Sequence, residues 1–213
     1  MPKSAFAHVT TWVFDLDNTL YPRGSNLFRQ IEDKMNDFVE RELNLPRAKA
    51  IALRNSYWRR HGTTLAGLMQ EHGIKPEPYL VEVHDIDYSV LTPDPLLQAA
   101  IDGLPGRKII FTNGPRRHGE KASTACGLRQ CFDQIYGIED AAYVPKPRAP
   151  AFEKVFAAEG LTAHHSAMFE DDPVNLLVPY RLGLQTVLVG PEEGGDHVMH
   201  HTLDLTAFLT QLV

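Results

Sequence analysis

Apolar positions along the chain recur with two different periods, and the period changes near residue 92. The chain first shows an apolar, β-prone run, Val9 to Phe14, that stops at Asp15-Leu16-Asp17. Leu27, Phe28, Ile31, Met35, Phe38, Val39 and Leu43 then recur at helical spacing. Pro46 suits the first turn of a second helix carrying Ile51, Leu53, Tyr57 and Trp58. Leu65–His72 and Tyr79–Val83 also read as helical, so residues 19–91 are predicted to form a small all-helical unit. After Thr92-Pro93-Asp94-Pro95 the chain alternates. Helices are expected near Leu96–Asp102, Arg116–Ala125, Pro150–Glu159 and Val174–Leu182, and between them strands at Lys108–Phe111, Gln134–Tyr136, Ser166–Phe169 and Thr186–Val189. Strands alternating with helices mean a parallel sheet covered on both faces. The predicted class is therefore α/β, a three-layer core from residues 1–18 and 92–213 interrupted by the helical unit. The segment after Gly190 reads as a loop leading to a short helix between Leu203 and Leu212.

Composition narrows the class without naming a function. The chain has 213 residues, 43% hydrophobic and 23% charged, with a net charge of −6. That balance suits a globular protein and disfavours a general binder of nucleic acid or anionic membrane. No apolar run approaches the ~20 residues of a membrane span, and Met1–His8 lacks an apolar signal core, so a cytoplasmic location is the expectation. Cys126 and Cys131 do not form a C-x-x-C and are expected as free thiols.

The chemistry collects where strands end. In an extended segment residues i and i+2 point the same way, so Asp15 and Asp17 present carboxylates to one small volume. Two crowded anions call for a cation, and Mg²⁺ takes oxygen ligands while keeping positions open for phosphate. Alone, a D-x-D at a strand end is equally a turn or a helix cap. Three more polar clusters fall at or after later strand ends: Thr112-Asn113-Gly114, Lys146, and Glu170-Asp171-Asp172 with Asn175. Ligands of open α/β sheets bind beyond those ends, so the coincidence of four clusters favours a catalytic site over unrelated turns.

Each cluster has a role in phosphoryl transfer. Asp15 can attack phosphorus, and Asp17 can act as acid and then base. Thr112, Asn113 and the Gly114 amide can hold phosphate oxygens, and Lys146 can offset charge. Asp15, Asp17, Glu170 and Asp171 are the candidate metal ligands, with Asp171 preferred to Asp172.

The set Asp15-Leu16-Asp17-Asn18-Thr19, Thr112-Asn113-Gly114, Lys146 and Glu170-Asp171 resembles the four motifs of the haloacid dehalogenase-like hydrolases, and the inserted helices resemble that superfamily's cap. The resemblance implies a Rossmann-like core. Asp15 to Pro22, Gly62 to Leu68, Val83-His84-Asp85, Asp87-Tyr88, Pro93-Asp94-Pro95 and Leu104 to Lys108 are similar to the pyrimidine 5′-nucleotidase subfamily. That implies Mg²⁺-dependent hydrolysis of nucleoside 5′-monophosphates, chiefly UMP and CMP. Asp172 departs from the Ser or small residue often found there.

Phosphate is common to every such substrate, so the cap should read the leaving group. Tyr21, Arg23, Arg59, His61, Thr63, Thr64, His84, Asp85, Tyr88 and, near the phosphate turn, His118 are the candidates, with ordinary packing as the alternative for each. A phosphatase or phosphomutase for sugar phosphates is the second reading, and a ligand-binding regulatory domain the non-enzymatic one. A dehalogenase would have no use for Asp17 as an acid. The expected partner is a small phosphate ester, not a nucleic acid polymer or a membrane. His197, His200 and His201 suggest a transition-metal site but read as a solvated loop in a glycine-rich exit.

Overall fold

The structure is a computed structural model that describes residues 2–213. Six parallel strands form one sheet: β1 (Thr11–Phe14), β2 (Arg107–Phe111), β3 (Gln134–Tyr136), β4 (Ser166–Glu170), β5 (Gln185–Val189) and β6 (His200–Thr202). Their spatial order is β3-β2-β1-β4-β5-β6, so β1 lies centrally between β2 and β4. Strands buried on both faces carry almost no charge, and the period-2 pleat divides their side chains. Trp12, Phe14, Ile110 and Phe169 pack on one face; Val13, Ile109, Phe111 and Met168 pack on the other. Phe14 stacks on Phe169 with ring centroids 4.7 Å apart.

Helices cover both faces and complete three layers. α1 (Pro2–Phe6) brings Phe6 against Trp12. The cap comprises α2 (Leu27–Glu42), α3 (Arg47–His61), α4 (Thr64–His72) and α5 (Pro76–Val83). It is inserted after the first strand, as predicted, and holds its own apolar cluster, including Phe38, Val39, Tyr57, Leu68, Tyr79 and Val83. Then come α6 (Pro95–Asp102), α7 (Arg116–Ala125), α8 (Ala149–Glu159), α9 (Leu177–Leu182) and α10 (Leu205–Thr210). Cap meets core at Gly62, whose φ of +88° L side chains rarely adopt, and where a Cβ would lie 3.2 Å from the carbonyl oxygen of Lys146.

The structure revises two expectations, the start of one helix and the form of the tail. The helix predicted for Val174–Leu182 begins as a 3-10 turn, Pro173–Leu176, because the Asp172 carboxylate caps the Val174 N–H at 3.0 Å. The tail is not a plain loop: His200 and Thr202 sit in the edge strand β6, paired with Val187 and Val189. The three tail histidines disperse. His197 bonds the carbonyl of Pro173 at 2.8 Å, the His200 ring lies 4.8 Å from Phe6, and His201 bonds the carbonyl of Gly190. Cys126 and Cys131 are free and buried, and burial pushes their thiols up to about 11 and about 12. Among the described residues no helix is long and apolar enough to cross a membrane.

Candidate active site

Parallel register aligns the carboxyl ends of β1, β2 and β4: Phe14 pairs with Ile110 on one side and with Phe169 on the other. The next residues out are Asp15, Thr112 after Phe111, and Glu170-Asp171. The loop between β3 and α8 brings Lys146 across to meet them. The Lys146 ammonium, 1% exposed, donates to Asp15 Oδ1 at 2.7 Å, to Glu170 Oε2 at 2.7 Å and to the Phe111 carbonyl at 2.9 Å. Four segments distant in sequence thus meet around one buried cation.

Asp15, Glu170 and Asp171 offer carboxylate oxygens that all lie within 4.8 Å of one another. Burial raises the Asp15 carboxyl to about 6; Lys146 opposes the rise, while Asp171 and Asp17 add to it. Burial and then Asp15 push Glu170 well above the usual carboxylate range despite Lys146. Burial also raises Asp171, against the pull of Arg23, which donates to it at 2.9 Å and to Glu192 at 2.8 Å. Burial alone would lower the Lys146 ammonium, but Asp15 and Glu170 outweigh it and hold the proton firmly. Anionic oxygens in excess of cations, held this close, are the donor set a hard divalent cation takes. Those three residues could hold such a metal ion. The Asp17 carboxylate is not in the cluster, and Asp172 is occupied as a cap.

Asp17 faces a different set of neighbours. Its Oδ1 accepts from the Tyr21 hydroxyl and bonds His118 Nε2 at 2.7 Å, and His118 Nδ1 meets the Tyr88 hydroxyl at 2.9 Å. Burial would raise the Asp17 carboxyl, but the charge and hydrogen bond of His118, with Tyr21, bring it below its ordinary value. The His84 ring lies 4.8 Å from that of His118, and burial and that neighbour push it down to about 3. The D-x-D motif therefore presents two unlike carboxyls, Asp15 raised and Asp17 lowered. That order is the reverse of an ionised nucleophile beside a protonated acid, and a divalent cation beside Asp15 would favour its ionised form.

The turn after β2 is held from within. Thr112 accepts from the Gly114 N–H at 2.9 Å and keeps its own proton to donate. Both polar ends of the Asn113 side chain are engaged by Lys146: Nδ2 donates to its carbonyl at 3.1 Å, and Oδ1 accepts from its N–H at 2.8 Å. Asn113, expected on the phosphate, thus fixes the lysine loop through its side chain.

A cavity of about 750 Å³ opens between these groups and the cap. Of the cap candidates, Arg23, Thr63, Thr64 and His84 line it. Tyr21, Tyr88 and His118 instead stand around Asp17. Arg59 and Asp85 are exposed, and His61 is tied to Glu71 at 2.7 Å, so these three do not border the cavity. Sequence reasoning missed Phe28, Glu32, Met35, Arg54, Trp58 and Tyr79, which do. Phe28 and Met35 fit the apolar stripe of α2 and read as core. The available signal was Glu32, which falls beside that stripe at i+4 from Phe28.

Fold and geometry define an α/β protein with an acidic centre at its strand ends, roofed by a helical cap. A family model described as haloacid dehalogenase-like hydrolase matches residues 9–178, and the chain belongs to that family. Phosphate metabolism protein 8 of Saccharomyces cerevisiae is 26% identical over 176 residues, 75% of this chain. The chain spans about half the length of that relative, 54%. Among solved structures, a phosphatase of the family from Thermococcus onnurineus matches with TM-score 0.65 and 17% identity over 96% of this chain and 98% of that one. The Bacillus subtilis hydrolase YfnB, bound to magnesium, matches with TM-score 0.60 and 19% identity over 96% and 98%. The L-2-haloacid dehalogenase of Xanthobacter autotrophicus matches with TM-score 0.55 and 18% identity over 95% and 88%. At these identities the solved structures speak to the fold.

Proposed function

We propose that the protein is a Mg²⁺-dependent phosphatase of phosphate monoesters, and that its substrates are pyrimidine nucleoside 5′-monophosphates such as UMP and CMP. One observation carries the chemistry: Lys146 sits 2.7 Å from both Asp15 and Glu170 at the head of a cavity that can admit an ester. Asp15 attacks phosphorus through a carboxylate oxygen, and the bond to the leaving oxygen breaks. That oxygen takes the proton shared between Asp17 Oδ1 and His118 Nε2, 2.7 Å apart, delivered through Asp17. Asp17 then takes a proton from water, which attacks phosphorus and frees Asp15 and inorganic phosphate. Lys146 offsets the anionic charge throughout, while the Thr112 hydroxyl and the Gly114 backbone steady phosphate oxygens. His118 and Tyr21 keep Asp17 aimed. Mg²⁺ held by Asp15, Glu170 and Asp171, and by the Asp17 carbonyl, would neutralise phosphate charge as it moves between oxygens.

The nucleotide part of the reading rests on the stretches similar to the pyrimidine 5′-nucleotidases and on the aromatic residues Phe28, Trp58 and Tyr79 along the cavity. The relative from yeast is named for phosphate metabolism, which agrees with the reaction class. A dehalogenase would need neither the three-carboxylate cluster nor Asp17. The test is a panel of phosphomonoesters, with and without EDTA, alongside chloride release from 2-haloacids. UMP and CMP should lead the panel, and EDTA should abolish turnover. Faster hydrolysis of sugar phosphates would refute the nucleotide assignment; metal-independent chloride release would refute the phosphatase.

A further inference from the structure

At the cap end of the cavity two buried polar atoms lack partners, Arg54 Nε and the Tyr79 hydroxyl. Both residues line the cavity, and Tyr79 is 1% exposed. Thr64 is the polar side chain beside the Tyr79 hydroxyl. Buried polar groups in a folded protein are almost always satisfied, so orphans on a cavity wall point to what the cavity takes in. An N–H and an O–H donor side by side ask for an acceptor on the ligand. Glu32, also on the wall, accepts from Arg54 Nη2 at 3.1 Å and adds an acceptor of its own. The Arg54–Glu32 pair is neutral as a unit, so this end suits an uncharged polar group and gives no welcome to a second phosphate. Phe28 and Trp58, the latter 56% exposed, provide ring faces on the same wall.

We propose that Arg54, Tyr79 and Glu32 read the leaving group, selecting a flat ring with a carbonyl oxygen and an N–H or amino group on the same edge. Arg54 Nε–H and the Tyr79 hydroxyl donate to the carbonyl; Glu32 accepts from the N–H. Uracil and cytosine each carry both groups on one edge, as guanine does, and adenine, with no carbonyl, does not. The assignment rests on the nucleotidase reading and names the residues that make it selective.

The test compares kcat/KM for UMP, CMP and AMP with that for p-nitrophenyl phosphate, which has no such edge. Arg54→Met should lower the UMP to p-nitrophenyl phosphate ratio roughly 10–100-fold, the scale of an unmet buried hydrogen bond to a substrate. Tyr79→Phe deletes one hydroxyl and keeps the packing, so it should lower the ratio about 3–10-fold with its melting profile retained. Wild-type enzyme should prefer UMP and CMP to AMP. If wild type prefers the pyrimidines but neither variant shifts the ratio, this assignment fails and the nucleotidase stands. If Arg54→Met slows all esters equally, Arg54 is structural and the assignment fails. If wild type turns over p-nitrophenyl phosphate but favours no pyrimidine nucleotide, the nucleotidase reading fails, and the assignment with it.

Discussion

Replacing Lys146 by methionine keeps the stem and removes the charge. At 2.7 Å and an effective dielectric constant near 20, each of the two ion pairs is worth about 6 kcal/mol of gross attraction. Desolvation of the three groups cancels much of that, and breaking such a buried pair costs about 3–5 kcal/mol net. Two buried carboxylates then face one another with their cation gone. Both respond by binding protons more tightly, so their folded-state affinities rise further above the unfolded values. For a carboxyl raised in this way the penalty is full above its folded pKa and fades as pH falls towards the unfolded one. Asp15 already stands near 6 with the lysine present, so Lys146→Met should suffer most at pH 8 and recover on acidification. Urea unfolding in EDTA reads this directly. With a slope of about 2–3 kcal/mol per molar urea, the midpoint should drop about 1–2 M at pH 8 and by less at pH 5.5. A wild-type midpoint at pH 8, or a gap that widens with acid, would show that Lys146 does not neutralise this cluster.

The other expectations concern the reaction. Asp15→Asn should cut kcat by more than about 1,000-fold while leaving the fold intact, checked by steady-state kinetics and circular dichroism. His118→Gln should lower kcat roughly tenfold with little change in KM, since His118 aims Asp17 without bordering the cavity. Magnesium at 100 times its dissociation constant should stabilise the wild type by about 2.7 kcal/mol, seen as a raised melting temperature. That rise should be largely lost in Asp171→Asn, and an undiminished shift there would remove Asp171 from the ligand set.

Most of the core was legible because its physics is local. Strands buried on both faces must be short apolar runs, and Asp15, Thr112 and Glu170 betray themselves as polar residues ending them. Lys146 was harder: nothing in Pro145-Lys146-Pro147 says that the side chain turns inward, and only its company gave it meaning. The edge strand His200–Thr202 was invisible because its residues are polar and its pairing with β5 supplies the order. The cap lining was hidden for a related reason. Its helices bury one stripe against each other and turn another to the cavity, and Phe28 or Met35 suits either. His61, Arg59 and Asp85 have residue types that often bind ligands, but type does not fix direction.

The same contrast bears on how the protein divides its work. The groups proposed to react hang from backbone whose register is fixed by β1, β2 and β4, so their spacing tolerates little drift. Asp15, Lys146 and Glu170 form one electrostatic unit, two carboxylates on one ammonium, and removing Lys146 leaves both carboxylates without their cation. The cap wall is different. Arg54, Glu32 and Tyr79 project from separate helices, each joined to the centre only through the cavity and whatever fills it. A change there alters what fits without disturbing the charge balance around Asp15. On the proposed reading, selectivity can therefore shift by single substitutions in α2, α3 and α5, while the reaction at the strand ends depends on Asp15, Lys146 and Glu170 together.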